Sequence, residues 1–215
     1  MINVLITDDH PIVRRGLKQL LEDDKNGRFG ILEEAESGKE MLEKMVSLDF
    51  DVILLDISLP GRNGLELLGD IKKIRPKVPV IILSIYSEEQ YAVRAIKLGA
   101  SGYLNKTSAP DELITAIYKV SQGGRYLSPS LAELLADNAL DENEDSLHSK
   151  LSVRELEVIS LLASGMTLSS IAKELSLSPK TISTYRTRIL LKLQLKTTSD
   201  IIKFAINEGF ANSIM

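Results

Sequence analysis

Two hydrophobic patterns alternate along the first 122 residues. Short strand-like runs, several of them nearly all apolar, occur at Ile2–Thr7, Ile31–Glu36, Asp51–Leu55, Val80–Leu83 and Ser101–Asn105. Several are rich in β-branched residues, as strands buried on both faces are. Segments near 11–24, 38–48, 64–74, 88–98 and 110–122 predict helices between and after them. Five βα units with short connections predict an α/β fold, a five-stranded doubly wound parallel sheet with helices on both faces. Local stops agree with this. Ser108-Ala109-Pro110-Asp111 has the form of a helix start, and Gly99 and Gly123-Gly124 suit helix ends.

The pattern changes at 123. Residues 123–148 predict a linker with a short helix around 130–139, and the stretch after it is polar and acidic. From Leu151 the periodicity is helical to the end. Ser152-x-x-Glu155 is a capping box, and the helix it opens stops near Gly165. A second helix is expected over about 168–175, a third over 179–193 after the Ser178-Pro179 start, and a fourth over 198–208 up to Gly209. Ile182, Ile189 and Leu193, with Tyr185, form one stripe on the third helix. The chain thus divides into a domain over 1–122, a linker over 123–148 and a small all-α four-helix domain over 149–215.

Charge sharpens the division. Residues 150–215 carry nine Lys/Arg and five Asp/Glu, a net +4, whereas residues 1–149 carry 17 basic and 25 acidic residues, a net −8. An acidic front and a basic back imply different partners. No cysteine occurs, which excludes a disulfide framework and thiolate metal sites. Met1–Thr7 lacks a basic leader and no apolar run approaches the roughly 18 residues of a membrane span, so a soluble, cytoplasmic protein is expected.

The candidate chemistry sits where strands end. Ile2–Thr7 runs into Asp8-Asp9, Val52–Leu55 into Asp56, Val80–Leu83 into Ser84, and the fifth run into Lys106. In parallel α/β sheets the carboxyl ends of strands converge on the site. Asp8 and Asp9 could hold a hard cation, and Mg²⁺ suits oxygen ligands of this kind. Asp56 could be a third ligand and a nucleophile, since a carboxylate attacks phosphorus to give an acyl phosphate. Lys106 and Ser84 could meet the phosphoryl oxygens. Taken singly each has a plainer reading. Asp-Asp before a helix is also an N-cap pattern, and a lysine at a strand end is usually solvated.

In the basic domain, helix, glycine, short helix, polar turn and helix is a helix-turn-helix pattern, whose third helix would enter the major groove. Lys180, Thr181, Ser183, Thr184, Arg186, Thr187, Arg188 and Lys192 lie off its apolar stripe. Bases of this kind neutralise phosphates, and hydroxyls and arginines read base edges. An ordinary helical bundle with a solvated face would also fit the periodicity.

The segments Ile6-Thr7-Asp8-Asp9-His10-Pro11, Asp51–Gly64 (DVILLDISLPGRNG), Val80–Ser84 and Gly99–Lys106 (GASGYLNK) resemble the flavodoxin-like receiver domain of two-component response regulators. Leu151-Ser152-Val153-Arg154-Glu155-x-Glu157-Val158, Gly165, Ile171-Ala172-x-x-Leu175, Ser178-x-x-Thr181-Ile182-Ser183 and Lys192-Leu193 resemble the LuxR-type DNA-binding domain. Together they are similar to the NarL/FixJ class. The resemblance implies that Asp56 takes a phosphoryl group from a sensor histidine kinase. It implies Mg²⁺ on Asp8 or Asp9, Asp56 and the Ser58 backbone carbonyl, with Ser84 and Tyr103 as a switch pair. It places Ser183, Thr184 and Thr187 at bases, and Lys180, Arg186, Arg188 and Lys192 at phosphates. It further implies a homodimer through the last helix, double-stranded DNA and RNA polymerase as partners, and a switch rather than an enzyme. One departure stands out. The residue after the switch hydroxyl is commonly small in this family and is Ile85 here, which would slow phosphate loss. Two rival expectations remain. An aspartyl-phosphate phosphatase would carry a second carboxylate two residues after the nucleophile, where this chain has Ser58. The other rival is a constitutive DNA-binding regulator whose receiver is not phosphorylated.

Overall fold

A computed structural model of the chain describes residues 1–86, 88–107, 110–140 and 151–208. The elements are β1 (Ile2–Thr7), α1 (Pro11–Glu22), β2 (Phe29–Ala35), α2 (Gly38–Ser47), β3 (Val52–Asp56), α3 (Gly64–Ile74), β4 (Val80–Ser84), α4 (Glu88–Lys97), β5 (Gly102–Asn105), α5 (Pro110–Ser121) and α6 (Pro129–Leu140). Beyond the undescribed 141–150 come α7 (Val153–Ala163), α8 (Leu168–Glu174), α9 (Pro179–Lys192) and α10 (Thr198–Asn207). Contacts cluster into two units, Met1–Leu135 and Ala136–Met215.

In the first unit all five strands are parallel, in the order β2-β1-β3-β4-β5. β3 and β4 are central and every residue in them is buried, which is why their sequences are unbroken apolar runs. Side chains alternate between the faces. Val4, Ile6, Val52, Leu54, Ile81 and Leu83 pack with Leu21 of α1 and Leu113, Ala116, Ile117 and Val120 of α5. The intervening Leu5, Ile53, Leu55 and Ile82 are as deeply buried, beneath the other helical layer. Chain order reverses between β1 and β3, so their carboxyl ends flank the switch point at which ligands bind in such sheets.

Two boundaries depart from expectation. The second strand begins at Phe29, earlier than Ile31, because it is an edge strand whose mixed polarity hides its start; Ile31 itself is exposed. The linker expected from residue 123 begins later. Tyr126 bridges to Gly102 of β5, its N–H donates to Ser101 O at 2.8 Å, and Leu131 is fully buried. The segment up to Leu135 therefore belongs to the first unit, and the short helix expected near 130–139 is the twelve-residue α6. The helix start at Ser108, the stop at Gly209 and the acidic stretch after 140 lie outside the described residues.

From Leu151 on, the described residues of the second unit form the expected four helices. Ser152 accepts from Glu155 N while the Glu155 carboxylate receives Ser152 N, completing the capping box of α7. Thr167 and Ser178 cap α8 and α9 by accepting from Ser170 N and Thr181 N. Ser176 closes α8 with φ of 52°, a left-handed turn without glycine. Ile182, Ile189 and Leu193 are buried, so the stripe on α9 faces the core. Among the described residues no helix is long and apolar enough to cross a membrane.

Candidate functional site

The strand register sets the site. Asp56 pairs with Leu83, so Ser84 lies one residue beyond it, and Ser84 pairs with Asn105, so Lys106 lies one further. The polar positions thus climb in a staircase from β3 to β5. At ~3.3 Å per strand residue, Lys106 starts about 7 Å past Asp56. Its long stem reaches back, placing Nζ 2.6 Å from Asp8 Oδ2 and 2.8 Å from Asp56 Oδ2.

Asp8 and Asp56 are 0% and 1% exposed. Ser58 N donates to Asp56 Oδ1 at 3.2 Å, and His10 N donates to Asp8 Oδ1 at 2.8 Å. Asp8 Oδ2 and Asp56 Oδ2 have no partner but the Lys106 ammonium among the described residues. Burial, opposed by Lys106 and reinforced by Asp8, raises the Asp56 carboxyl from 3.8 to about 6. Burial lowers the Lys106 ammonium, but Asp56 and Asp8 outweigh it and leave it above its ordinary value. Two buried carboxylates facing one ammonium leave local negative charge that a cation would neutralise.

Asp9 completes the cluster at the rim. Atoms of Asp8, Asp9, His10 and Asp56 able to bind a metal all lie within 4.8 Å of one another. His10 is an addition that sequence reasoning missed. Its Nδ1 sits 2.8 Å from Asp9 Oδ1 and 3.2 Å from Asp8 Oδ1. A histidine one residue past the acidic pair was visible, but nothing in the sequence said that the helix start would fold it back. Gly64 was likewise quoted only as part of a motif. A Cβ there would sit 2.1 Å from Asp56 O, so the β3–α3 loop closes against the strand only with glycine. Asn63 anchors the same turn, its buried side chain accepting from Leu65 N at 2.8 Å.

Ser84 and Tyr103 are joined in a separate knot. Ser84 Oγ accepts from Tyr86 N at 3.0 Å, and Tyr103 OH donates to Tyr86 O at 3.0 Å. The Tyr103 ring is wholly buried, and burial pushes its phenol far above the usual range despite a hydrogen bond with Ser84. Ile85 is 49% exposed beside this knot. A cavity of ≈ 560 Å³ lies elsewhere, lined by Met45, Phe50, Ile74 and Val78 below the amino ends of β3 and β4.

On α9, Lys180, Ser183, Thr184, Thr187, Arg188 and Lys192 are exposed, whereas Arg186 is only partly so. Two of the four expected phosphate contacts have internal partners. Lys192 Nζ lies 2.7 Å from Glu155 Oε2, and Arg186 Nε donates to Thr198 Oγ1 at 2.6 Å. Burial pushes the Glu155 carboxyl up, but Lys192 and the Ser152 N–H outweigh it and hold it below its usual range. Lys192 is thus a structural cation, because a buried carboxylate needs it, and Arg186 ties α9 to α10. Lys180 and Arg188 have no recorded ion pair among the described residues. Thr184 and Thr187 donate their hydroxyls to Lys180 O and Ser183 O, both at 3.0 Å.

Comparison with known proteins agrees with both halves. Residues 4–118 match the response regulator receiver domain, and residues 149–205 match the bacterial regulatory proteins of the luxR family. The chain is a response regulator of the NarL/FixJ class. Response regulator UvrY of Escherichia coli K12 is 35% identical over 99% of this chain and 97% of its own. Response regulator GacA of Pseudomonas aeruginosa is 33% identical over 99% of both. A solved structure of RcsB from Salmonella enterica serovar Typhimurium, bound to promoter P1flhDC with the phosphomimetic BeF3-, superposes with a TM-score of 0.63 at 28% identity, covering 99% of both chains. This response regulator therefore joins a receiver domain to a LuxR-type DNA-binding domain.

Proposed function

We propose that Asp56 is the phosphoacceptor, that its donor is the phosphohistidine of a sensor kinase, and that the acyl phosphate controls DNA binding by α9. The observation that carries this is the pair of buried carboxylates sharing the Lys106 ammonium. In the transfer an Asp56 oxygen attacks phosphorus, the P–N bond to histidine breaks, and the electron pair leaves with the imidazole. Lys106 offers its protons to the phosphoryl oxygens as it loosens from Asp56. Ser84 offers a hydroxyl from the next strand.

Asp8, Asp9, Asp56 and the Ser58 carbonyl would hold Mg²⁺, which the buried carboxylates of Asp8 and Asp56, balanced among the described residues by the Lys106 ammonium alone, fit. When bound, the ion supplies charge against the repulsion between carboxylate and incoming phosphoryl group. The response regulator is a switch and not a turnover enzyme, since Ser58 stands where a phosphatase would need a second carboxylate. Lys180 and Arg188 meet phosphates, and Ser183, Thr184 and Thr187 face bases in the major groove. Phosphorylation shifts the population toward a homodimer that binds DNA and engages RNA polymerase in the cytoplasm.

The test is DNA affinity and oligomer size with and without a phosphoryl donor, for wild type and Asp56→Asn. The donor tightens binding and enlarges the wild type, and the variant ignores it. A wild type that binds equally well without donor is a constitutive regulator, and the proposal fails.

A further inference from the structure

The switch pair is tied to α6 by two short routes, and both end at its amino terminus. The first runs through Tyr86. Its N–H bonds to Ser84 Oγ and its carbonyl accepts from Tyr103 OH, so the two switch side chains hold the two peptide groups that flank one residue. Its ring packs on Tyr91 of α4, with centroids 4.9 Å apart. Two residues on, Glu88 opens α4, and its carboxylate is the acceptor for the start of α6. Ser128 Oγ lies 2.6 and 2.7 Å from its two oxygens, and Ser130 Oγ lies 2.6 Å from Oε2. Ser128 also caps α6, accepting from Leu131 N at 3.0 Å. The carboxylate thus orients the hydroxyl that ends the helix. Hydrogen bonds to a charged acceptor are the stronger kind.

The second route runs along β5. Gly102, next to Tyr103, bridges to Tyr126, whose hydroxyl donates to Glu112 of α5 at 2.9 Å. A Cβ at Gly102 would lie 3.2 Å from Tyr126 O, so the approach is close. Tyr126 is held by backbone bonds and packing, which the switch does not contact directly. The Glu88 contact depends on three side chains and on a loop that Ser84 itself pins.

We infer that Glu88, Ser128 and Ser130 form a latch that transmits the state of Asp56 to α6. This rests on the phosphorylation reading of the pocket. When the Ser84 hydroxyl is drawn to a phosphoryl group on Asp56, Tyr86 N loses its acceptor. The loop into α4 then relaxes, Glu88 withdraws, and the Ser128 cap is released, while Tyr126 stays in place as the pivot. The helix that leads in sequence toward the DNA-binding domain is thereby freed at its amino end and not detached.

Hydrogen–deuterium exchange on the full chain with Mg²⁺ tests this, read on residues 129–135 with β3 amides as the control for folding. Beryllofluoride speeds exchange at 129–135 about tenfold in wild type, the loss expected for hydrogen bonds to a charged group. Glu88→Ala exchanges at the fast rate without beryllofluoride, and beryllofluoride adds nothing further. Ser84→Ala is fast without it too, because the bond from Tyr86 N to Ser84 Oγ is gone; if that variant fails to fold, Tyr103→Phe removes the opposite tie. Wild type that carries beryllofluoride, seen by fluorine NMR, yet keeps its slow exchange overturns the latch. Failure to load beryllofluoride overturns the phosphorylation reading instead. The Ser84→Ala result then decides the latch alone, and slow exchange in that variant refutes it.

Discussion

Replacing Asp56 by asparagine should make the metal-free receiver more stable at neutral pH. The carboxyl is lifted from 3.8 to about 6, chiefly by burial and despite Lys106 beside it. A raised pKa means that the folded state holds the proton more tightly than the unfolded chain. Its contribution is therefore present below pH 3.8 and is lost as pH rises through about 6. At pH 7 the ionised group costs the fold about 3 kcal/mol, at ~1.4 kcal/mol per pKa unit. Asparagine keeps the shape, removes the charge and leaves Lys106 with Asp8 alone. Urea unfolding in EDTA should show the variant more stable by about 2–3 kcal/mol at pH 7, and by little at pH 4. For a unit of this size that is roughly 6–12 °C in Tm. Adding Mg²⁺ should narrow the gap, because binding stabilises the wild type more. A variant equal to or weaker than wild type at pH 7, or a gap that does not change with pH, would show the reasoning to be wrong.

Further expectations follow from other contacts. Gly64→Ala should cost more than ~3 kcal/mol in urea unfolding, since the obstructing atom is the Asp56 backbone carbonyl and cannot swing away. Lys192→Ala should destabilise the DNA-binding unit by roughly 1–3 kcal/mol, below the value for a fully buried pair because the lysine side chain is 39% exposed while that of Glu155 is 2% exposed. It should leave the salt slope of DNA binding unchanged, whereas Arg188→Ala should reduce that slope by about 0.9. Ile85→Ala should shorten the half-life of phosphorylated Asp56, measured by mass spectrometry against time; an unchanged half-life removes Ile85 as a shield.

Legibility in the sequence followed contact range. Strands β1, β3 and β4 were readable because each apolar run reports its own burial, and the acids and the lysine were readable because each follows a strand. The caps at Ser152 and Ser178 are local and were equally plain. What the sequence hid depends on partners far along the chain. Residues 123–135 look like a linker because Tyr126 satisfies its backbone against β5, about 25 residues earlier. Lys192 looks like a phosphate contact because Glu155, 37 positions away, is not visibly its partner. Ser176 and Gln194 adopt left-handed turns without glycine, so the ends of α8 and α9 carry no glycine stop, although the helical periodicity placed both within a residue.

The staircase of strand ends also makes the pocket a gauge of length. Asp56, Ser84 and Lys106 sit one rung apart, so the ammonium reaches its two acids only because its stem spans the offset that the register creates. Arginine at 106 would carry the charge too far and spread it over a plane. A side chain one methylene shorter would leave the acids out of reach. A slip of β5 against β4 by one residue would move the whole fifth strand by one rung and turn its side chains to the opposite face. Calibration of this kind belongs to the sheet and not to any one residue, so the chemistry at Asp56 is only as reliable as the pairing of β4 with β5.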